Sequence, residues 1–188
     1  MEQEKKLYTL LVFSENFAGL LNQVTAVFTR RQVNIESLNV SASSIKGVHK
    51  YTITCWSTED QINIITKQIE KKIDVLQANY FTDDEVFITE AGLYKLSTPE
   101  VMKNPEISRA VRKHGAQIME VNPIYTVVTK MGMTDDILSL YYVLNEYNCV
   151  LQYVRSGRIA VTRSNVEYLD RFLEERRHCY EQLKGHND

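Results

Sequence analysis

Glycine and proline are scarce in this chain, which has seven glycines and three prolines among 188 residues. Neither of the glycine-rich phosphate motifs, GxGxxG and GxxxxGK[ST], occurs in it. Apolar residues make up 44% and charged residues 24% of the chain, a composition that excludes a disordered or collagen-like protein. A chain of this length and composition is expected to fold as one domain or as two small ones.

Cysteines are equally few, and long apolar runs are missing. Cys55, Cys149 and Cys179 are odd in number and far apart, so the sequence indicates neither a disulfide framework nor a zinc-ligand spacing. No apolar run has the length of a membrane span, and the first residues, MEQEKK, lack the apolar core of a secretion signal. We therefore expect a cytoplasmic protein with reduced thiols and no membrane partner.

Residue patterns for catalysis and nucleic-acid binding are also missing. The paired carboxylates are sequence neighbours at charged faces, where solvation accounts for them. A net charge of -2 and scattered tyrosines do not indicate a nucleic-acid partner. The histidines show no metal-ligand spacing and stand near no nucleophile; they are His49, His114, His178 and His186. The sequence thus predicts a chain without catalytic residues or a bound metal.

What is present is a pattern of alternating elements in the first half of the chain. It reads as strand, helix, strand, strand, helix, strand. The second helix is predicted to carry an apolar stripe of Ile62, Ile65, Ile69 and Ile73. In order, the segments are Leu7–Phe13, a helix with Leu20, Val24, Val27 and Phe28 on one face, then Ile35–Ser43, His49–Trp56, Asp60–Lys72 and Asp74–Phe81.

The same order recurs after the acidic break at residues 82–85. Both halves open their last strand with the letters VLQ, at Val75–Gln77 and Val150–Gln152, which supports a duplication. The segments of the second half are Val86–Leu96, Pro105–His114, Ala116–Val121, Ile124–Met131, Thr134–Glu146 and Cys149–Ser156.

Two tandem ferredoxin-like units of the α+β class are the fold that this order predicts. We assign residues 1–83 to the first unit, 84–164 to the second and 165–188 to an amphipathic helical tail. The apolar stripe of the tail leaves two interpretations open: the helix packs on its own domain, or it packs on another subunit.

A possible ligand site lies in the stretch SENFAGLLNQV, where the first strand turns into the first helix. The first turn of a helix offers unpaired N–H groups, which favour an anion such as the carboxylate of an amino acid. Gly19 would let a ligand approach, and the amides of Asn16 and Asn34 can both donate and accept hydrogen bonds. Asn and Gly are also ordinary turn residues, so the residues alone leave a purely conformational role open.

The stretch ENFAGLLNQVTAVFTRRQVNIESLNVSAS, residues 15–43, resembles the amino-terminal ACT domain of acetolactate synthase small subunits. In that family an N-x-x-G-x-L corner, a V-x-x-x-F helix, a paired-basic end and an N-I-x-S-L strand follow in this order. QIEKKIDVLQ, QIMEVNPIYTVVTKMG and VRSGRIAVTRS are similar to later parts of the family. The resemblance covers residues 7–164 in register.

This resemblance implies a regulatory role. The family's large subunit carries thiamine diphosphate and Mg²⁺ and condenses pyruvate with a second 2-oxo acid, so no cofactor is expected on this chain. The small subunit activates it and confers feedback inhibition by a branched-chain amino acid, usually valine, bound where two ACT domains meet in a homodimer. The effector-binding residues carried over are Asn16, Gly19 and Asn34, with Ala18, Leu20 and Ile35 as neighbours.

An alternative is a stand-alone ACT-domain sensor or transcriptional regulator, although the chain shows no helix-turn-helix with a basic recognition helix. This sequence also departs from the family pattern at Gln32, where a glycine is usual after the paired basic residues. Because glutamine adopts the left-handed conformation less readily than glycine, we expect the turn at this helix end to differ.

Overall fold

The structure is a computed structural model that describes residues 4–164. The described chain divides into two compact units, residues 4–87 with 160–164 and residues 88–159. We call them the first and the second unit. The domain bounds assigned from the sequence stay a prediction, and the helical tail predicted at 165–188 lies outside the described residues.

The first unit has the predicted strand-helix-strand-strand-helix-strand order. Its sheet is antiparallel with the strand order β2-β3-β1-β4, as in ferredoxin-like folds. The elements are β1 Lys6–Glu15, α1 Leu20–Arg30, β2 Ile35–Ala42, β3 Val48–Ser57, α2 Glu59–Glu70 and β4 Val75–Phe81.

Both helices of the first unit bury the apolar face that the sequence predicts, with one exception. Leu20, Val24, Val27 and Phe28 of α1 are in the core, as are Ile62, Ile65 and Ile69 of α2. The predicted continuation of that stripe to Ile73 is wrong, because its side chain is 98% exposed. The reason is that α2 ends at Glu70 and the chain turns, with the Lys72 N–H donating to the Ile69 carbonyl and the Val75 N–H to the Lys72 carbonyl.

The second unit repeats this plan with one added helix, α3, and the chain then returns to the first unit through a ninth strand, β9. Its sheet has the order β6-β7-β5-β8, and β9 pairs with β5 beside this path. The short helix α3 and the four-residue strand β9 were not predicted. The elements are β5 Val86–Ser97, α3 Thr98–Lys103, α4 Pro105–Lys113, β6 Gln117–Val121, β7 Tyr125–Gly132, α5 Thr134–Glu146, β8 Val150–Arg155 and β9 Ile159–Thr162.

The repeated letters VLQ mark the same irregularity in both sheets. Val75 pairs with Ser14 and Gln77 with Phe13, so β4 has one extra residue, Leu76, opposite the end of β1. In the second unit, Val150 pairs with Leu96 and Gln152 with Lys95, which leaves Leu151 as the extra residue. Each edge strand therefore contains a β-bulge at the same place in its unit.

Candidate functional site

The corner between β1 and α1 is shaped by backbone hydrogen bonds and one glycine. The Asn16 N–H donates to the Gly47 carbonyl at 2.9 Å, which fixes the corner to the β2–β3 turn. Gly19 is the N-cap of α1 and has φ 90°, in the left-handed region that favours glycine. A Cβ atom at Gly19 would meet nothing within 4 Å, so the position next to this residue is open space. The glycine is therefore favoured by its backbone conformation and not by crowding.

The first turn of α1 has unsatisfied donors and no competing negative charge. Gly19 supplies no side-chain cap and the turn contains no acidic residue. In the described part of the chain, the N–H groups of Leu21 and Asn22 have no hydrogen-bond partner. Together with the partial positive charge of a helix amino terminus, these groups can hold a carboxylate.

The predicted neighbours of the corner differ in exposure. Asn16 and Ala18 are exposed, whereas Leu20 is fully buried in the core and its side chain cannot face a ligand. Two apolar side chains that we did not predict are exposed beside the corner, Phe17 at 61% and Leu21 at 39%. The sequence shows these two apolar residues on either side of Gly19, and apolar residues within a turn are a signal for a contact with a ligand or a partner.

Asn34 and Ile35 lie at the opposite end of the first unit. The helix α1, with 11 residues, separates them from Gly19 by about 16 Å along its axis. The sheet register shows the same separation. Ile35 and Tyr8 both pair with Cys55, so Ile35 lies level with the start of β1. Glu15 follows Tyr8 by seven residues on β1, or about 23 Å. One copy of the chain therefore does not bring the two halves of the predicted site together.

Both asparagine amides remain available. Among the described residues, neither the Asn16 nor the Asn34 side chain forms a hydrogen bond, and both residues are exposed. Asn34 immediately precedes β2, which is an edge strand paired only with β3 in the described sheet. Its pairing shifts by one residue between Ile35 and Ser37 and is regular from there to Ala42. This outer edge carries unpaired backbone donors and acceptors.

The turn at Gln32 does not differ as expected. Gln32 has φ 54°, the left-handed conformation that a glycine would adopt. Its N–H donates to the Thr29 carbonyl and the Val33 N–H donates to the Phe28 carbonyl, both at 3.1 Å. These two bonds define a Schellman motif, so the expectation of an altered turn is wrong. The replacement of glycine by glutamine here affects the free energy of the turn and leaves its geometry unchanged.

Titratable groups in the first unit do not form a metal site. Among residues 4–164 there is no group of three or more His, Cys, Asp or Glu side chains that could hold a metal ion. Burial raises the pKa of the Cys55 thiol to about 12, and the carboxylate of Glu36 adds to this shift. No helix in the described range is long and apolar enough to cross a membrane.

Two ferredoxin-like units, the first with an open glycine corner and a free sheet edge, place the protein in the class of tandem ferredoxin-like chains. Family models agree with this class. Residues 10–77 match the model described as AHAS small subunit-like ACT domain. Residues 89–164 match the model described as small subunit of acetolactate synthase.

Individual proteins give the same result. The acetolactate synthase small subunit of Bacillus subtilis is 31% identical over 161 residues, which cover 85% of this chain and 91% of that protein. The acetolactate synthase small subunit of Haemophilus influenzae is 29% identical over 160 residues, which cover 85% of this chain and 98% of that protein. This chain belongs to the acetolactate synthase small subunit family, and membership implies a large-subunit partner.

A solved structure shows the same fold. The crystal structure of the acetolactate synthase small subunit from Thermotoga maritima superimposes with a TM-score of 0.77. The two sequences are 23% identical, and the superposition covers 86% of this chain and 99% of the Thermotoga maritima chain. That protein therefore has the same fold.

Proposed function

We propose that this chain activates the large subunit of acetolactate synthase and makes it sensitive to feedback inhibition by a branched-chain amino acid, with valine as the effector. The observation that carries the proposal is the corner at Gly19, which offers free helix N–H donors in open space. In this proposal the thiamine diphosphate and Mg²⁺ are bound by the large subunit. The complex is cytoplasmic, and neither a nucleic acid nor a membrane takes part.

A homodimer explains how residues at opposite ends of the unit can form one site. Strands β1 and β2 are both antiparallel to β3, so β2 begins at the end of the sheet that is far from the corner. Strand β2 ends at Ala42, which pairs with His49. His49 also pairs with Ser14, so the end of β2 lies level with the corner. In a two-fold dimer with antiparallel β2 edges, the start of one β2 lies beside the end of the other. Asn34 of one subunit then approaches the Gly19 corner of its partner.

The effector chemistry follows from this composite site. The carboxylate of valine accepts hydrogen bonds from the first turn of α1, and its ammonium group donates to the amide oxygens of Asn16 and of the partner subunit's Asn34. The isopropyl group lies against apolar side chains, for which the exposed Phe17 and Leu21 and the partly buried Ile35 of the partner subunit are available. Two equivalent sites per dimer result from the two-fold symmetry.

Inhibition requires that valine distinguish two arrangements of the dimer. A ligand shifts an equilibrium only by the difference between its affinities for the two states. A coupling of about 1–3 kcal/mol between the effector site and the large subunit is typical of such regulation. The dimer that binds valine more tightly must therefore activate the large subunit less.

Reconstitution with the cognate large subunit tests the function. We expect this chain to raise the rate of acetolactate formation, and valine to lower that rate more than leucine or isoleucine does. If the rate does not change when the chain is added, the assignment is wrong and the stand-alone sensor becomes the better hypothesis. Co-purification of the large subunit with this chain is the accompanying binding assay.

Mixed dimers test the composite site. Asn16→Ala and Asn34→Ala should each abolish valine sensitivity when present alone. Co-refolding the two variants produces heterodimers with one doubly altered and one intact site, which restores about a quarter of all sites. If the site were formed within one subunit, mixing would restore none. A wild-type response of either single variant would show that the residue is not part of the site.

A further inference from the structure

A groove between the two helices of the first unit is lined by positive charge. It has a volume of about 390 Å³. Two arginines at the end of α1 and two lysines just after α2 face it, so cations from both helices converge there. Its lining residues are Val27, Arg30, Arg31, Gln68, Lys71 and Lys72.

None of these four cations takes part in an ion pair of the described chain, although the carboxylate of Asp60 lies in the adjoining groove. The described ion pairs involve Glu90, Glu100 and Glu106, and none of them includes a groove residue. The Arg31 side chain is instead held by a neutral group, since its Nε donates to Oε1 of Gln68 at 3.4 Å. The Gln61 Nε2 donates to the Arg31 carbonyl at 3.1 Å. The guanidinium of Arg31 is thus held by a hydrogen bond to a neutral amide, and the backbone next to it is held by Gln61.

The second unit shows that the fold does not require this concentration of charge. Its first long helix, α4, also ends in a basic pair, Arg112 and Lys113, as expected for cations near the negative end of a helix dipole. The helix that corresponds to α2 is α5, and its last turn contains no basic residue. The two residues that follow α5, Tyr147 and Asn148, are not basic either, so of the two described units only the first has a pair of cations directly after its second helix.

The shape of this surface suits an extended segment better than a small molecule. A second groove of about 500 Å³ adjoins the first along Arg30 and Arg31. Besides these two arginines it is lined by one carboxylate, Asp60, by neutral polar side chains and by Ile64, which is 41% exposed. Both grooves are open to solvent, whereas small-molecule sites bury most of their ligand. An apolar contact beside charged ones is typical of protein interfaces.

We infer that this pair of grooves docks an acidic segment of the catalytic large subunit. The inference rests on the proposed activating function and names the surface through which the activation acts. Arg30, Arg31, Lys71 and Lys72 attract the acidic segment, and Ile64 contacts an apolar side chain next to it. Because exposed charges steer association, the contact weakens as ionic strength rises.

Charge reversal in the reconstituted enzyme tests this surface. Lys71→Glu/Lys72→Glu is the groove variant. Arg112→Glu/Lys113→Glu is the control, with the same charge change at exposed positions of the second unit. At low salt we expect the groove variant to need about 10-fold more small subunit for half-maximal activation, and the control less than about 2-fold more. The difference should shrink at high salt, and Arg30→Gln should have a smaller effect in the same direction.

The outcomes separate this inference from the proposed function. If the wild-type chain fails to activate, the proposed function fails, and the inference with it. If the wild type activates and the groove variant activates at an unchanged concentration, only the docking surface is wrong. Equal losses in the groove variant and the control would indicate a net-charge effect and would also overturn it. Pyrophosphate binding provides one more outcome. If pyrophosphate binds tightly to the wild type and this binding is lost in the groove variant, while activation is unchanged, the groove is a small-anion site and the docking surface is wrong.

Discussion

Gln32 and Gly115 occupy the same position in the two units, directly after the C-cap of the first long helix of each, with φ 54° and 64°. Both residues close a Schellman motif. In the second unit, the Gly115 N–H donates to the Arg112 carbonyl and the Ala116 N–H donates to the Val111 carbonyl. One left-handed position is thus filled by a glycine and the other by a residue with a Cβ atom. The difference gives a stability prediction.

Gln32→Gly should stabilise the first unit. A side chain in the left-handed region costs about 1–2 kcal/mol, part of which is offset by the larger unfolded-state entropy of glycine. We expect an increase of about 1 kcal/mol in the free energy of unfolding, measured by urea denaturation. Asn148→Gly is the control, because Asn148 has φ 51° and asparagine tolerates this conformation better. A gain at Asn148 as large as that at Gln32 would contradict the explanation.

Gly92→Ala should destabilise the second unit. A Cβ atom at Gly92 would lie 2.7 Å from Cγ2 of Ile137 and 3.0 Å from the hydroxyl oxygen of Tyr94. That hydroxyl donates to the Ile137 carbonyl at 2.7 Å, so neither neighbour moves freely. Overpacking of this kind costs about 1–3 kcal/mol, measurable as a lower urea midpoint. Gly132→Ala is the control, since its nearest neighbour is the flexible Asp136 carboxylate at 3.3 Å. Equal losses at the two glycines would show that crowding is not the cause.

Arg155→Met should destabilise the same unit through a buried carboxylate. The Glu90 side chain is 2% exposed, and its oxygen lies 3.5 Å from Nη1 of Arg155. Arg155 is 37% exposed, so solvent screens part of the interaction, and losing the hydrogen bond to the buried carboxylate should cost about 1–3 kcal/mol. The double variant Glu90→Gln/Arg155→Met should recover part of that loss. A double-mutant cycle with additive losses would show that the two side chains do not interact.

Alkaline pH should weaken the first unit through Cys55. The thiol pKa rises from 9.0 to about 12 on folding, so above pH 9 the unfolded chain loses a proton that the folded chain keeps. Stability from this group is complete below pH 9 and declines as pH rises toward 12. Urea midpoints across this range should fall more steeply in the wild type than in Cys55→Ala. Parallel pH profiles for the two proteins would refute the role of this thiol.

The sequence was sufficient to predict most of the fold because the apolar patterns are strong. The predicted helix Thr134–Glu146 has the same bounds as α5, and its acidic first turn and apolar stripe explain why. The helix α3 was missed because it has only six residues and ends at Asn104, whose side chain caps the next helix. The strand β9 has four residues, too few for a clear alternation.

The candidate site was predictable only in part. A glycine before an apolar helix predicts where α1 begins, and α1 does begin at Leu20, directly after Gly19; the left-handed φ of Gly19 was not predicted. The distance between Gly19 and Asn34 was not predictable, because it depends on the sheet register and on the direction of β2. The burial of Leu20 was predictable, because the helical pattern already placed it on the apolar face of α1; its place among the effector neighbours came only from the resemblance.

The open edge of β2 has a further consequence for solubility. An unpaired edge can recruit strands from unrelated chains, and long flat edges of this kind promote aggregation. On β2 the regular part is limited to Ser37–Ala42, because the register shift after Ile35 bends the strand and places the charged Glu36 at its start. Only a strand that matches this short segment and tolerates its charge can add to the sheet. In the proposed homodimer the partner's β2 occupies this edge, so dimer formation also removes it as a site for stray strand pairing.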